Sequence, residues 1–262
     1  MRSQASLNLV TIRAPSLEGK LHAAATAGFR VVGLAWDEIR REGEAGVEEV
    51  RLSGLAISEL VGISGWMDSD HTSRTVALAH AEQAVELAVS LDCPLLVVEP
   101  ADGPVDAIGA ARCFAEVCSL ARPFGVRVGI EFIGSLAQIN TVAAAWEIVD
   151  LAEAPNGGLV IDTFHFHRGP STLDMVEAIP QERISLVQVS DCMELPQHEM
   201  QNRHRVFPGT GVLALEPLLA AVRGKGYSGY YSLELHNEEY WAEDPLTVAR
   251  EGLRSLRRLD IP

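Results

Sequence analysis

Four polar side chains interrupt the last four apolar stretches of this 262-residue chain: Glu131 in VGIEF, Asp162 in LVIDTFH, Gln188 in LVQVSD and Glu234 in YSLELH. In buried strands, each carboxylate costs several kcal/mol unless it is paired or ligated. No Lys or Arg partner is evident within the four runs, and three carboxylates on neighbouring strands repel one another. A divalent cation removes both penalties, leaving a net charge near −1, and the Gln188 amide can lend its carbonyl oxygen as a fourth ligand. An all-oxygen set favours Mn²⁺ or Mg²⁺ over Zn²⁺, which prefers nitrogen and sulfur in tetrahedral geometry; Co²⁺ is also compatible. Asp191 is a reserve ligand if the amide is not used. The competing reading makes each acid a rim carboxylate in an ion pair, a frequent fate of a single strand-end Asp or Glu. Four polar groups at similar depth on consecutive strands weigh toward the cation. Such a centre supports proton transfer at a carbon flanked by the two oxygens that the cation grips.

To bring these residues together, four strands must end at one level. Short apolar runs alternate along the whole chain with longer segments of helical periodicity, the pattern of parallel strands joined by crossover helices. Eight runs are visible: Leu7 to Ile12, Arg30 to Trp36, Leu55 to Ile63, Pro94 to Glu99, Arg127 to Ile133, Gly158 to Asp162, Ile184 to Ser190 and Tyr230 to Leu235. Most lack period-two alternation, as strands covered on both faces should. Eight such units predict a single (β/α)₈ barrel over residues 1–262, with no Pro/Ser-rich linker to divide it. Asp244-Pro245 and Asn140 mark helix starts, and Gly28 and Gly226 mark left-handed helix exits. Two connections after strands, Ser64 to Arg74 and Asp191 to Gly211, are long enough to form lids or pocket walls.

The formal charge of −15 and pI near 4.9 argue against a nucleic-acid partner, which needs clustered Lys and Arg. Cys93, Cys113, Cys118 and Cys192 have neither zinc-site spacing nor the density of a disulfide framework, so reduced thiols in a cytoplasmic protein are expected. The opening MRSQASLNLV lacks a secretory h-region, and no uncharged apolar run is long enough for a bilayer, so no membrane partner is expected. A homo-oligomer is compatible with the sequence.

The VGIEF, VIDTFH, VQVSD and SLEL segments, together with RVFPGTG, resemble the xylose isomerase-like TIM-barrel family of sugar isomerases and epimerases over nearly the whole chain. The resemblance implies one Mn²⁺, Mg²⁺ or Co²⁺ ion on Glu131, Asp162, Gln188 and Glu234, with Gln188 standing where the family usually has histidine. Similar substitutions occur in relatives that resemble 3-dehydroshikimate dehydratases. It also implies that His165 contacts a small polyhydroxylated substrate and that Arg205 binds one of its oxygens. Two reactions follow as expectations: isomerisation or epimerisation of a ketose, aldose or keto-polyol, with Glu131 and Glu234 as the acid/base pair around an enediolate, or loss of a β-hydroxyl with His165 as proton carrier. A catalytically silent sugar-binding barrel is a third reading. An endonuclease-IV-like barrel fails on charge and on too few strand-end histidines.

Other residues read less sharply. Glu99 lines the pocket or forms a rim ion pair. Trp36 and Trp66 stack on a sugar face or pack in the core. His167, His198 and His204 read as solvated loop residues.

Overall fold

Strands that are apolar on both faces can be covered only by closing on themselves inside a ring of helices. The computed structural model, which describes residues 4–67, 70–103 and 106–262, shows this closure. Eight parallel strands form the barrel: β1 (Ala5–Asn8), β2 (Val31–Ala35), β3 (Ala56–Ile63), β4 (Leu95–Val98), β5 (Arg127–Glu131), β6 (Gly157–Asp162), β7 (Ile184–Val189) and the late strand Tyr231–Leu233. The last of these pairs with β1 on one side and β7 on the other, closing the ring. Each expected run overlaps its strand, but β1 begins earlier than expected, at Ala5, β6 begins at Gly157, and several strands stop short. The first run leaves the sheet after Asn8 for a 3₁₀ turn over Leu9–Thr11, and the fifth ends at Glu131. Polar side chains at those ends turn toward the barrel mouth instead of extending the ladder.

Val61, Leu95, Val97, Val160 and Leu186 fill the barrel interior, while a larger apolar layer lies between strands and helices. Among the helices, α1 (Leu17–Ala27) exits at Gly28 with φ +105°, and the last helix (Pro245–Arg258) starts on Asp244, whose carboxylate accepts the Thr247 N–H. Gly226, φ +83°, is the second left-handed exit. The expected cap at Asn140 is corrected by one residue. Thr141 caps the helix Val142–Leu151 by accepting the Ala144 N–H, while the Asn140 amide donates to the Leu136 carbonyl.

The long connection after β7 is built around an antiparallel pair, Asp191–Cys192 with Arg205–Val206. Asp191, the reserve ligand, is engaged by backbone and does not join the three clustered acids. Its carboxylate accepts four backbone N–H groups, from Cys192, Gly209, Gly211 and Leu213, at 2.8–3.0 Å. That loop carries Arg205 back over the barrel mouth. In the connection after β3, the Asp68 and Ser69 part of the expected lid lies outside the described residues. Among the described residues, no helix is long and apolar enough to cross a membrane. All four cysteines are free and buried.

Candidate metal centre and active site

Glu131 and Asp162 are the last residues of β5 and β6, Gln188 is next to last in β7, and Glu234 follows the closing strand directly. Asp162 pairs with Gln188 in the sheet register, and Gln188 with Ser232 of the closing strand. This common level draws the acids together: one carboxylate oxygen each from Glu131, Asp162 and Glu234 lies within 4.8 Å of the others, and all three residues are buried.

Each acid has a different set of partners. Asp162 caps α6 (Thr163–Arg168) through the His165 N–H at 2.7 Å and takes Arg205 Nη1 at 2.6 Å. Glu234 accepts from the Asn8 amide at 3.0 Å and lies 3.7 Å from Arg205 Nη1. Glu131 accepts from Gln188 Nε2 at 3.3 Å and lies 3.6 Å from His165 Nε2. The Gln188 side-chain oxygen is fully buried and has no hydrogen-bond partner. A buried orphan acceptor beside three carboxylates fits a cation better than it fits any protein donor.

The electrostatics agree. Burial, followed by the charges of Glu234, Asp162 and Glu99, raises the Glu131 carboxyl well above its ordinary range. Burial likewise raises Glu234 to about 8, against the opposing charge of Arg205. Burial would also raise Asp162, but the charge and hydrogen bond of Arg205 outweigh it and hold this group below the usual carboxylate range. One guanidinium therefore stabilises one carboxylate, and the two glutamates retain protons until further positive charge arrives. The basic partner absent from the four runs themselves comes from outside them: Arg205 contacts Asp162 across 43 positions because the Asp191-anchored loop folds back.

His165 is buried, with the Gly134 N–H 3.3 Å from its Nδ1 and both Arg205 Nη2, at 3.2 Å, and Glu131, at 3.6 Å, beside its Nε2. Burial lowers this histidine to about 3.

A family model described as "Xylose isomerase-like TIM barrel" matches residues 21–259. The chain belongs to that family. An inosose isomerase of Halalkalibacterium halodurans is 32% identical over 207 residues, covering 75% of this chain and 72% of that protein. A 3-dehydroshikimate dehydratase of Pseudomonas aeruginosa is 30% identical over 254 residues, 94% of this chain but 40% of that longer protein. Among solved structures, the IolI protein with a bound zinc atom superposes with a TM-score of 0.88 at 20% identity, covering 98% and 97% of the two chains. A fusion of a xylose isomerase-like barrel with 4-hydroxyphenylpyruvate dioxygenase gives a TM-score of 0.90 at 26% identity, over 99% of this chain and 43% of the fusion. These relatives place the chain among enzymes.

In this xylose isomerase-like barrel the acids open onto a cavity of about 220 Å³ lined by Glu99, Glu131, His165, Arg205, Glu234 and Trp36. Asp162 and Gln188 lie behind them, fully buried. Trp36 forms part of the wall, its indole N–H donating to the Gly62 carbonyl. Trp66 does not. It is 0% exposed, donates to the Glu99 carbonyl and packs on Phe114, so it belongs to the core. His167 is half-buried, with Nδ1 2.7 Å from the Thr163 carbonyl, and does not stand free in solvent. A larger groove of about 700 Å³ runs on the outer side of Trp36, between α2 (Trp36–Ser53) and α3 (His71–Ser90), but among the described residues no metal-holding group of acids converges there.

Sequence reading missed Asn8, Asn202 and His236. Asn8 interrupts SLNLV as Gln188 interrupts its own run, and His236 stands two residues beyond Glu234, so the same strand-end argument could have found both. Asn202 sits in a loop with no comparable signal.

Proposed function

We propose that this enzyme is a divalent-metal-dependent isomerase or epimerase that moves a proton beside the carbonyl of a small keto-polyol through an enediolate. The observation carrying this reading is the pair of buried glutamates, Glu131 and Glu234, facing one cavity beside the unpartnered Gln188 oxygen. Glu131, Asp162, Gln188 and Glu234 would hold the ion, and the oxygen-only donor set favours Mn²⁺ or Mg²⁺, with Co²⁺ next. What the bound ion supplies is Lewis acidity: polarised carbonyl and hydroxyl oxygens, and a more acidic C–H between them.

The chain's own groups do the rest. One glutamate takes the proton from carbon and the other returns a proton to the neighbouring carbon or to the opposite face, a division suited to two carboxyls that line one cavity. Arg205 keeps Asp162 ionised and contributes positive charge near the developing enediolate oxygen. His165, neutral and held between Arg205 and Glu131, reaches a substrate hydroxyl from the cavity wall. A cytoplasmic setting fits the four free cysteines. Deuterium uptake from D₂O at the α-carbon across a panel of ketoses and inososes, dependent on added Mn²⁺, is the expected result. No uptake with any member, with or without metal, overturns the proposal.

A second reading keeps the α-proton abstraction but ends in loss of a β-hydroxyl. The alignment of 94% of the chain with a 3-dehydroshikimate dehydratase favours it. Growth of a conjugated-enone absorbance from a cyclic β-hydroxy ketone selects it over isomerisation.

A further inference from the structure

We propose that the cavity admits an uncharged, hydroxyl-rich ligand and rejects phosphorylated or carboxylated counterparts, and that Glu99 is the residue setting this preference. That the ligand is a ketone rests on the proposed function; the charge preference rests on the cavity alone.

Among the described residues, Arg205 is the single Lys or Arg lining the cavity. Its guanidinium is already committed, with Nη1 at 2.6 Å from Asp162 and 3.2 Å from Ser190, and Nη2 at 3.2 Å from His165. The two cavity imidazoles face acids, His165 toward Glu131 at 3.6 Å and His236 toward Glu234 at 4.0 Å. At the rim, Arg40 and Arg41 pair with Asp37, and Arg13 stacks 4.2 Å over the Trp241 ring. Arg205 and a divalent ion together offset the three carboxylates of the centre, so no surplus positive charge remains for a ligand. Glu99 is the exception among the acids: it lines the cavity and, among the described residues, makes no ion pair within 4.0 Å, the Arg205 charge reaching it only from further away against a burial that raises its carboxyl. An entering phosphate or carboxylate would lose its water beside the Glu99 carboxyl with no cation left to pair with it.

A polyol suits the same walls. Its hydroxyls are donors, and Glu99, Glu131 and Glu234 supply acceptors; Trp36 offers a ring face for C–H groups. The volume of about 220 Å³ lies below the roughly 300 Å³ at which sites for drug-sized ligands begin, which selects one compact ring.

The test is calorimetric titration of the full-length protein, Mn²⁺-loaded and metal-free, with matched pairs: D-fructose against D-fructose 6-phosphate, and an inosose against 3-dehydroshikimate. The uncharged member of each pair should bind about tenfold or more tightly at low ionic strength, with the ratio shrinking as salt rises. Glu99→Gln, its fold checked by circular dichroism, should cut the ratio at least about threefold, mainly by improving the anion; Glu99→Ser serves if that variant does not fold. Tighter or equal binding of the anions, a ratio unmoved in both variants, or no binding of either uncharged probe overturns the proposal. If the ratio holds while no ketone takes up deuterium, the reaction proposed above fails and the charge preference stands. If deuterium uptake occurs but the anions bind better, the reverse is true.

Discussion

At the scale of single residues the centre depends on an imbalance of charge. Three buried carboxylates share one guanidinium, and the unmatched pair, Glu131 and Glu234, responds by holding protons. Cation binding must release them. Apparent Mn²⁺ affinity should therefore rise with pH through about 8, where Glu234 ionises without help. Titrations in buffers of differing ionisation enthalpy should show net proton release below that pH, and a pH-independent affinity with no release would contradict the assignment. Gln188→Leu removes the orphan oxygen while keeping the volume. The oxygen has no partner to lose, but the Nε2–H donor to Glu131 goes with it, so metal-free stability should change by no more than about 1 kcal/mol, while Mn²⁺ affinity falls about tenfold or more. Gln188→His should restore binding, since imidazole is an equally good ligand for these ions.

At the scale of elements, the loop joining β7 to the next helix positions the guanidinium. Asp191 gathers four backbone N–H groups from the segment ending at Leu213, and a Cβ on Gly211 would stand 2.4 Å from its Oδ1, so glycine is required there for closeness. Asp191→Ala should release this loop at a cost of about 2–3 kcal/mol in local stability, the range for hydrogen bonds to a charged group. Hydrogen exchange at Gly209, Gly211 and Leu213 would speed up, and kcat would fall because Arg205 loses its fixed place. Unchanged exchange at these amides would show that the pairing of Asp191–Cys192 with Arg205–Val206 suffices to hold the loop.

At the scale of the whole molecule, the barrel interior carries a fourth buried acid away from the cavity. Glu59 on β3 is 0% exposed, accepts from the Ser232 hydroxyl at 2.6 Å, and lies against Gly33 of β2, where a Cβ would fall 1.9 Å from its oxygen. Burial raises it to about 7 from 4.5. A carboxyl raised on folding binds its proton more tightly in the native state, so its contribution is complete below about pH 4.5 and is lost as pH rises through about 7. The shift corresponds to about 3 kcal/mol, at 1.36 kcal/mol per pKa unit, for this fully buried group. Glu59→Gln should flatten denaturant-derived stability between those limits and make the variant the more stable form at pH 8. A wild-type slope that survives in the variant would assign the dependence elsewhere.

The sequence by itself determined the alternation of strand and helix and which acids interrupt apolar runs, with strand ends placed only to within a few residues. These are local properties: burial on both faces writes itself into a run such as LLVV, and a carboxylate at a run's end is conspicuous where it stands. That reading placed Glu131, Asp162, Gln188 and Glu234 on neighbouring strands and supplied the barrel. It could not show that Arg205 pairs with Asp162, that Asn8 reaches Glu234 across 226 positions, that Asp191 ties down a loop, or that Trp66 is core. Only tertiary structure decided these, because a side chain's partner in a closed barrel is set by which strands meet at the seam and how a loop returns over the mouth. Neither distance is encoded by spacing along the chain.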